Sequence, residues 1–305
     1  MLALINPRCD YGRGLRAWRR IEPALLSRHR GLVAEEIPPV RLLPLRLAQA
    51  VDSGERRFIA AGGDGTVNVV ANALMGIGHD VALGAVALGS SNDYHKPLRD
   101  AFRLGGVPAK LHWEAAELRD VIRVQHRDTR GAVVQKACMI NAGIGITAHA
   151  NAVYNGRLPA IARLQRVSVE AAILASVVHA LRTFTPLPCD VAIDGSPPTR
   201  LALTNLAVLK SPHVGGALCY DTPVRPSDGT MKINICMNMT RMETVRTLIN
   251  LYRHRFSGSP KTFCRAAATV KVTGATRFAL ELDGEVVSAT EACFQLVPGA
   301  LRCCP

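Results

Sequence analysis

Gly62-Gly63-Asp64-Gly65-Thr66-Val67-Asn68 is the stretch that most narrows what this chain can fold into. It follows an apolar run, Phe58-Ile59-Ala60-Ala61, and leads into Val69, Val70, Ala73 and Leu74 at helical spacing. A strand, a glycine turn and a helix start, in that order, form the context in which a glycine cluster binds phosphate. The glycines admit positive φ and let a ligand come close to the main chain. The N–H groups at the helix start, with the positive end of its dipole, suit an anion. Asp64 is the odd member, because a carboxylate repels phosphates unless a cation or a proton transfer intervenes. That combination points to phosphoryl transfer with Mg²⁺. The structural alternative is a tight turn in which Asp64 caps the helix. No Gly-Lys-Ser/Thr follows, so the motif is not a Walker loop.

Around this turn the first third of the chain alternates strands and helices. Leu2 to Ile5 reads as a buried strand ending at Asn6-Pro7, followed by a turn through Gly12 and Gly14. A helix then carries Leu15, Trp18 and Ile21 inward and Arg16, Arg19 and Arg20 outward. Val33–Ile37, Phe58–Ala61 and Val81–Leu88 read as strands, Leu42–Val51 and Val67–Met75 as helices. This alternation predicts a parallel α/β layer with its sites at the carboxyl ends of the strands. A third turn at that edge, Leu88-Gly89-Ser90-Ser91-Asn92-Asp93-Tyr94, offers a hydroxyl, an amide and a carboxylate together. Alone it reads equally as an Asx-capped helix start.

From Glu117 the pattern changes to short strands with turn punctuation, which predicts an antiparallel sandwich or barrel. The runs are Val121–Gln125, Ala132–Cys138, Pro188–Ile193, Leu201–Leu209, Met231–Met237, Ala268–Val272, Arg277–Leu282 and Phe294–Val297. Helical intervals at Ile161–Leu181 and Met242–His254 interrupt it. The apolar run Ala171–Ala180 is well short of the roughly 20 residues of a membrane span. It reads as core packing, or as the lining of a cleft through which a lipid reaches the site. A length of 305 residues exceeds what one core ordinarily supports, so two domains are expected, 1–118 and 119–305. The last strand, about 293–305, is a candidate to return to the first domain.

The formal charge of +13, with Arg as 30 of the 37 basic residues, favours anionic partners such as nucleotides or acidic lipid headgroups. At 5% aromatics and without an RNA-binding aromatic cluster, nucleic acid is not expected as a partner. The nine cysteines are scattered and never spaced Cys-x-x-Cys, which argues against zinc and a disulfide framework and for a reducing cytoplasm. Met1–Ile5 passes straight into Asn6-Pro7, so no signal peptide is expected.

Taken together, these residues resemble the diacylglycerol kinase-like lipid kinases, the family of bacterial soluble lipid kinases related to sphingosine and ceramide kinases. The motifs that carry the resemblance run in order from Asn6 to Glu285. They are Asn6-Pro7 with Gly12, the Gly62–Asn68 box, Leu88–Asp93 and Asp120. Asn141-Ala142-Gly143-Ile144-Gly145, Gly215-Gly216, Ser227-Asp228-Gly229 and Asp283-Gly284-Glu285 follow. The Gly62 box alone also fits NAD kinases and phosphofructokinases; the ordered set does not.

The resemblance implies a parallel-sheet α/β nucleotide-binding domain, a β-rich antiparallel sandwich domain and an active site in the cleft between them. It implies ATP binding by Asn6, Gly62, Gly63, Asp64, Gly65, Thr66, Val67, Asn68, Ser90, Asn92 and Asp93, with Ser90 where the family usually has Thr. Glu285 matches the proton acceptor, and Asp64 and Asp120 belong to an acidic cleft holding Mg²⁺. Asp228, with the carbonyls of Arg225 and Thr230, matches a second site for Mg²⁺ or Ca²⁺ that orders the β-rich domain. Two features depart from the family: Glu35-Glu36 stands where a nucleotide-contacting Thr is common, and Ala87-Leu88 displaces the usual Pro before Gly89.

The implied activity is ATP-dependent phosphorylation of a membrane lipid hydroxyl, diacylglycerol first, a ceramide or sphingoid base as alternative. The enzyme would be cytoplasmic and peripherally attached to anionic membrane. A non-catalytic anion-binding surface protein with the same fold is the alternative of another class. The assembly state stays open, a homodimer among the candidates.

Overall fold

The computed structural model describes residues 1–78, 80–98, 101–128, 130–156 and 158–305. They divide into two units, Met1–Asp120 with Pro298–Pro305, and Val121–Val297. In the first, strands and helices alternate as the spacing predicts: β1 Leu2–Ile5, α1 Arg13–Arg28, β2 Val33–Glu36, α2 Leu43–Asp52, β3 Arg57–Gly62, α3 Asp64–Met75 and β4 Ala82–Ala87. β1 pairs in parallel with both β2 and β3, and β3 with β4. The sheet order is therefore β2-β1-β3-β4, and it reverses direction between β1 and β3. Open α/β sheets bind ligands outside the carboxyl ends of the strands at such a reversal.

The remaining edge of β4 is shared. A short hairpin of β5 Arg103–Leu104 and β6 Val107–Lys110 places Ala109 and Lys110 antiparallel to Val86 and Ala85. Near the end of the chain, Arg302 and Cys303 run parallel to Ala82 and Leu83. On α1, Trp18, Ile21 and Leu25 join Ala3, Ile5, Ile59 and Ala61 in one core, while Arg16, Arg19 and Arg20 stay exposed. Leu15 is only half-buried.

The second unit is mainly antiparallel. Its strands are β7 Glu117–Arg127 (from Val121 onward), β8 Val133–Cys138, β9 Asn141–Gly145, β10 Leu187–Ile193, β11 Thr199–Leu209, β12 His213–Val214, β13 Leu218–Cys219, β14 Met231–Met237, β15 Thr262–Ala267, β16 Thr269–Leu282 and β17 Glu285–Cys303 (as far as Val297). Its helices are α4 Ile146–Asn155, α5 Pro159–Val167, α6 Val169–Thr183 and α7 Arg241–Tyr252. β10 lies between β11 and β16, β11 leads on to β14 and β15, and β16 to β17. β9 fills the space between the far halves of β11 and β16, pairing with Asn205–Leu209 and with Leu280–Leu282. Alternation sets the inner face: Val270, Val272, Phe294 and Leu296 are buried, whereas Lys271, Thr273 and Gln295 are exposed.

Several elements differ from the sequence reading. The interval 161–181 is two helices, because Ser168 adopts an extended conformation and its Oγ accepts the Ala171 N–H at 3.1 Å, capping α6. The separate runs 268–272 and 277–282 are one strand, β16, with a register shift between Thr273 and Phe278. Gly274 sits in that irregularity, where a Cβ would stand 2.7 Å from the Thr276 carbonyl oxygen. The run 294–297 extends to the 19 residues of β17. Helix α4 and strands β9 and β15 carried no periodic signal strong enough to predict them.

All nine cysteines are free. Among the described residues, no helix is long and apolar enough to cross a membrane.

The third loop of the first unit is anchored from below. Tyr94 and His95 are buried, ring to edge at 5.5 Å, and the cations of Lys110 and Arg119 lie 5.6 and 5.8 Å from the Tyr94 ring centre. Burial pushes the His95 imidazole from 6.5 down to about 4. A histidine with a depressed folded-state pKa costs stability as pH falls from the unfolded value towards the folded one. The cost reaches about 3 kcal/mol at full effect. Denaturant melts at pH 7 and pH 4.5 are expected to show a smaller acid loss in His95→Gln than in wild type; equal losses would contradict this assignment.

Candidate functional site

The exits of β1, β3 and β4 lie side by side, since Ile5 pairs with Ala61 and Gly62 with Ala87. The sequence-predicted residues Asn6, Gly62–Asn68 and Ser90–Asp93 are therefore brought to one edge. The two glycine turns meet backbone to backbone. A Cβ on Gly89 would stand 2.4 Å from the Gly63 Cα, so a side chain there would force the loops apart. The Leu88 N–H also donates to the Gly62 carbonyl at 2.8 Å.

Asp64 joins the loops chemically. Its carboxylate accepts the backbone N–H of Asp93 at 3.0 Å and that of Tyr94 at 2.9 Å. The helix cap reading of Asp64 does not describe this: Gly63 is the N-cap, and the carboxylate reaches across to the neighbouring loop. Asn92 completes the clamp from within that loop. In a left-handed conformation with φ 50°, its amide accepts from the Gly89 N–H at 3.0 Å and donates to the Gly89 carbonyl at 2.7 Å. Asp93 is buried and paired with Lys96 at 2.6 Å.

The members of the Gly62 box divide by exposure. Thr66 turns inward, its hydroxyl accepting from Asn6 Nδ2 at 3.0 Å, and Gly62 leaves room for it because a Cβ there would stand 2.3 Å from Thr66 Oγ1. Val67 is core, and Asn68 is buried and accepts from Asn72. Gly65 and Ser90 are exposed, and nothing lies within 4 Å of where a Gly65 side chain would stand. Thr66 and Val67 donate to the Gly63 carbonyl, so the earlier N–H groups of the turn lie outside the helix's own ladder. Open main chain at a helix start, with free space around Gly65, is a surface suited to an anion. The departure at Glu35 is absorbed by α2, where Arg46 pairs with it at 2.8 and 2.9 Å.

Asp120 is buried and accepts the Gly299 N–H at 3.0 Å. Asp64 and Asp120 are thus engaged with different partners. Among the described residues, no three His, Cys, Asp or Glu side chains gather as a metal cage. Mg²⁺ ordinarily keeps waters and uses one or two carboxylates plus substrate phosphates, which this surface can accommodate.

In the second unit, Asp283 and Gly284 form the two-residue turn between β16 and β17, both at positive φ, as the Asp-Gly signal predicts. Asp283 is buried and accepts three backbone N–H groups, from Met139 at 2.6 Å and from Ile140 and Asn141 at 2.9 Å. Asn151 and Asn155 of α4 donate to the Gly284 carbonyl at 3.2 and 3.1 Å. Glu285 leaves this fixed turn with an exposed carboxylate paired to Lys136 of β8. Gly143 and Gly145 of β9 let α4 start close in, where Asn205 Oδ1 accepts the Thr147 N–H at 3.1 Å and its hydroxyl at 2.8 Å. Gly215-Gly216 closes the small β12–β13 hairpin.

Asp228 lies in the loop before β14. Its Oδ1 accepts from the Lys210 ammonium at 3.0 Å and from the Thr230 N–H at 3.2 Å, and the Thr230 carbonyl accepts from the same ammonium at 2.7 Å. Lys136, Asn151, Asn155 and Asn205 were not singled out in the sequence, since each sits inside a strand or helix pattern, and Lys210 directly follows one.

Residues 1–128 match the family model described as the diacylglycerol kinase catalytic domain, and residues 142–304 match the YegS C-terminal NAD kinase beta sandwich-like domain. The chain is similar to a "Probable lipid kinase YegS" of Salmonella heidelberg (strain SL476), 26% identical over 257 residues, which are 82% of this chain and 78% of that protein. YtlR of Bacillus subtilis (strain 168) is 31% identical over 96 residues, a match that spans 30% of this chain and 31% of that relative. Among solved structures, a diacylglycerol kinase from Bacillus anthracis str. Sterne superposes with a TM-score of 0.67 at 17% identity, covering 99% of this chain and 95% of that one. That likeness speaks to the fold.

Asp64→Asn retains one acceptor oxygen and turns an NH₂ toward a backbone N–H. The variant is expected to lose about 1–3 kcal/mol of unfolding free energy, with faster amide exchange at Asp93 and Tyr94. Unchanged stability and exchange would show that the carboxylate does not hold the loops together.

Proposed function

We infer the activity from the family: the chain belongs to the lipid kinases built from a diacylglycerol kinase catalytic domain and a YegS-type C-terminal domain. We propose that it transfers a phosphoryl group from ATP to the hydroxyl of a membrane lipid, with diacylglycerol as substrate and phosphatidic acid as product. The observation that carries this reading is the pair of glycine turns clamped together at the sheet's reversal point, with open main chain at the start of α3. ATP with Mg²⁺ supplies the phosphoryl group and screens its charge.

In this reading Gly63, Gly65 and Ser90 face the phosphates, while Asn6, Thr66, Asn68 and Asn92 act as their scaffold. Asp64 positions one loop on the other. Asp120 secures the chain end through Gly299. Glu285 takes the proton from the lipid hydroxyl, and Lys136 together with the Asp283 turn fixes where that carboxylate stands. Glu285→Gln is expected to lose roughly 10²–10⁴ in kcat with ATP affinity nearly unchanged, because proton transfer matters only in the transition state. The assay uses mixed vesicles containing diacylglycerol, with ceramide and sphingosine vesicles in parallel. Phosphate incorporated into ceramide alone would refute the substrate, and normal turnover in the variant would refute the base.

A lipid substrate requires contact with its bilayer, and we place that contact on α5 and α6. Val167 is 82% and Leu174 65% exposed, with Val178 beside them on the same helix as Leu174. Arg163, Arg166 and Arg182 are exposed on the same two helices, which suits an anionic surface. Leu174→Glu with Val178→Glu is expected to reduce turnover on anionic vesicles by at least about tenfold while sparing a short-chain, water-soluble diacylglycerol, since even one buried Leu or Val contributes about 1.5–3 kcal/mol. Equal loss on both substrates would place the effect elsewhere.

A further inference from the structure

Two of the three groups to which the family resemblance assigns a second metal, Asp228 and the Thr230 carbonyl, are already held by a cation of the chain itself. Lys210 follows the last residue of β11 and its side chain is 1% exposed. Its ammonium donates to Asp228 Oδ1 at 3.0 Å and to the Thr230 carbonyl at 2.7 Å. These are N–H···O distances, well beyond the roughly 2.0–2.6 Å at which Mg²⁺ or Ca²⁺ takes oxygen ligands. Its own backbone is fixed too, the N–H donating to the Ile140 carbonyl at 2.8 Å.

A divalent cation bound to the same two oxygens would share them with a buried ammonium. Like charges at that range repel, the more so because the ammonium is buried. The donor set therefore does not fit a bound metal. We propose that the Lys210 ammonium replaces the structural divalent cation at Asp228, so that the loop entering β14 is tied to the end of β11 without metal. The proposal concerns how the second unit is held together and does not depend on the kinase reading.

The mechanism has a specific cost. Lysine contributes one charge on a tether, so closure is built in at synthesis and cannot be removed by a chelator. A metal would instead stabilise by mass action and in proportion to its free concentration.

The test is thermal unfolding of the whole chain in EDTA, in millimolar Mg²⁺ and in millimolar Ca²⁺, each at matched ionic strength, for wild type, Lys210→Met, Asp228→Asn and the double variant. Wild type is expected to melt within about 1 °C in all three media, because nothing metal-dependent is left to gain at Asp228. Lys210→Met is expected to melt roughly 3–8 °C lower, from a partly buried carboxylate left without its cation. The loss should shrink when Asp228 is already Asn, as coupled partners require. A wild-type gain in Mg²⁺ or Ca²⁺ that Asp228→Asn abolishes would overturn the proposal, and so would a Lys210→Met variant that melts like wild type. If Lys210→Met does not fold, the wild-type and Asp228→Asn melts still decide.

Discussion

The first unit's site depends on one carboxylate placed between two loops. Asp64 stands at the first position of α3, and its oxygens are taken by the N–H groups of Asp93 and Tyr94. The Gly63 and Gly89 backbones can touch only because neither carries a Cβ. Removing side chains brings the loops together, and the carboxylate then fixes their register. What remains open at that edge is main chain, with Gly65 and Ser90 outward. Neutral N–H groups and a helix start can face a polyanion without a lysine at the turn.

Lysine is scarce in this chain, seven residues among 37 basic ones, and three of the seven lie against carboxylates at the candidate sites. Lys96 pairs with Asp93, Lys136 with Glu285 and Lys210 with Asp228. The compact ammonium fits where a carboxylate must be matched by a single point charge. On α1, α5 and α6 the exposed basic positions are arginine, as at Arg16, Arg19, Arg163 and Arg166. At the candidate sites lysine pairs with carboxylates one by one, whereas arginine supplies the exposed basic positions of these helices.

Much of the fold was legible because apolar runs and their periods survive locally. Strand β1, the helix face of Trp18 and Ile21, and the Asp283-Gly284 hairpin all follow from spacing and turn chemistry. The break at Ser168 was masked by apolar residues that continue on both sides of it, so only its capping hydroxyl marks the boundary. Site chemistry was legible as residue types but not as partners. The pattern singles out Asp64, Asp228 and Asp283, yet nothing local shows that one spans to a loop 29 residues away, one holds the ammonium of Lys210 just past the end of β11, and one gathers three N–H groups some 140 residues distant. Long-range hydrogen bonds leave no period in a sequence.

The most direct measurement of the central claim, that the clamped glycine turns hold the nucleotide phosphates, is amide hydrogen exchange resolved by residue, with and without ATP and Mg²⁺. Exchange at Gly63–Thr66 and Gly89–Ser91 is expected to slow markedly on adding nucleotide, while β7–β8 and the β12–β13 hairpin stay unchanged. Protection confined to other segments, or none at a nucleotide concentration that saturates turnover, would contradict it.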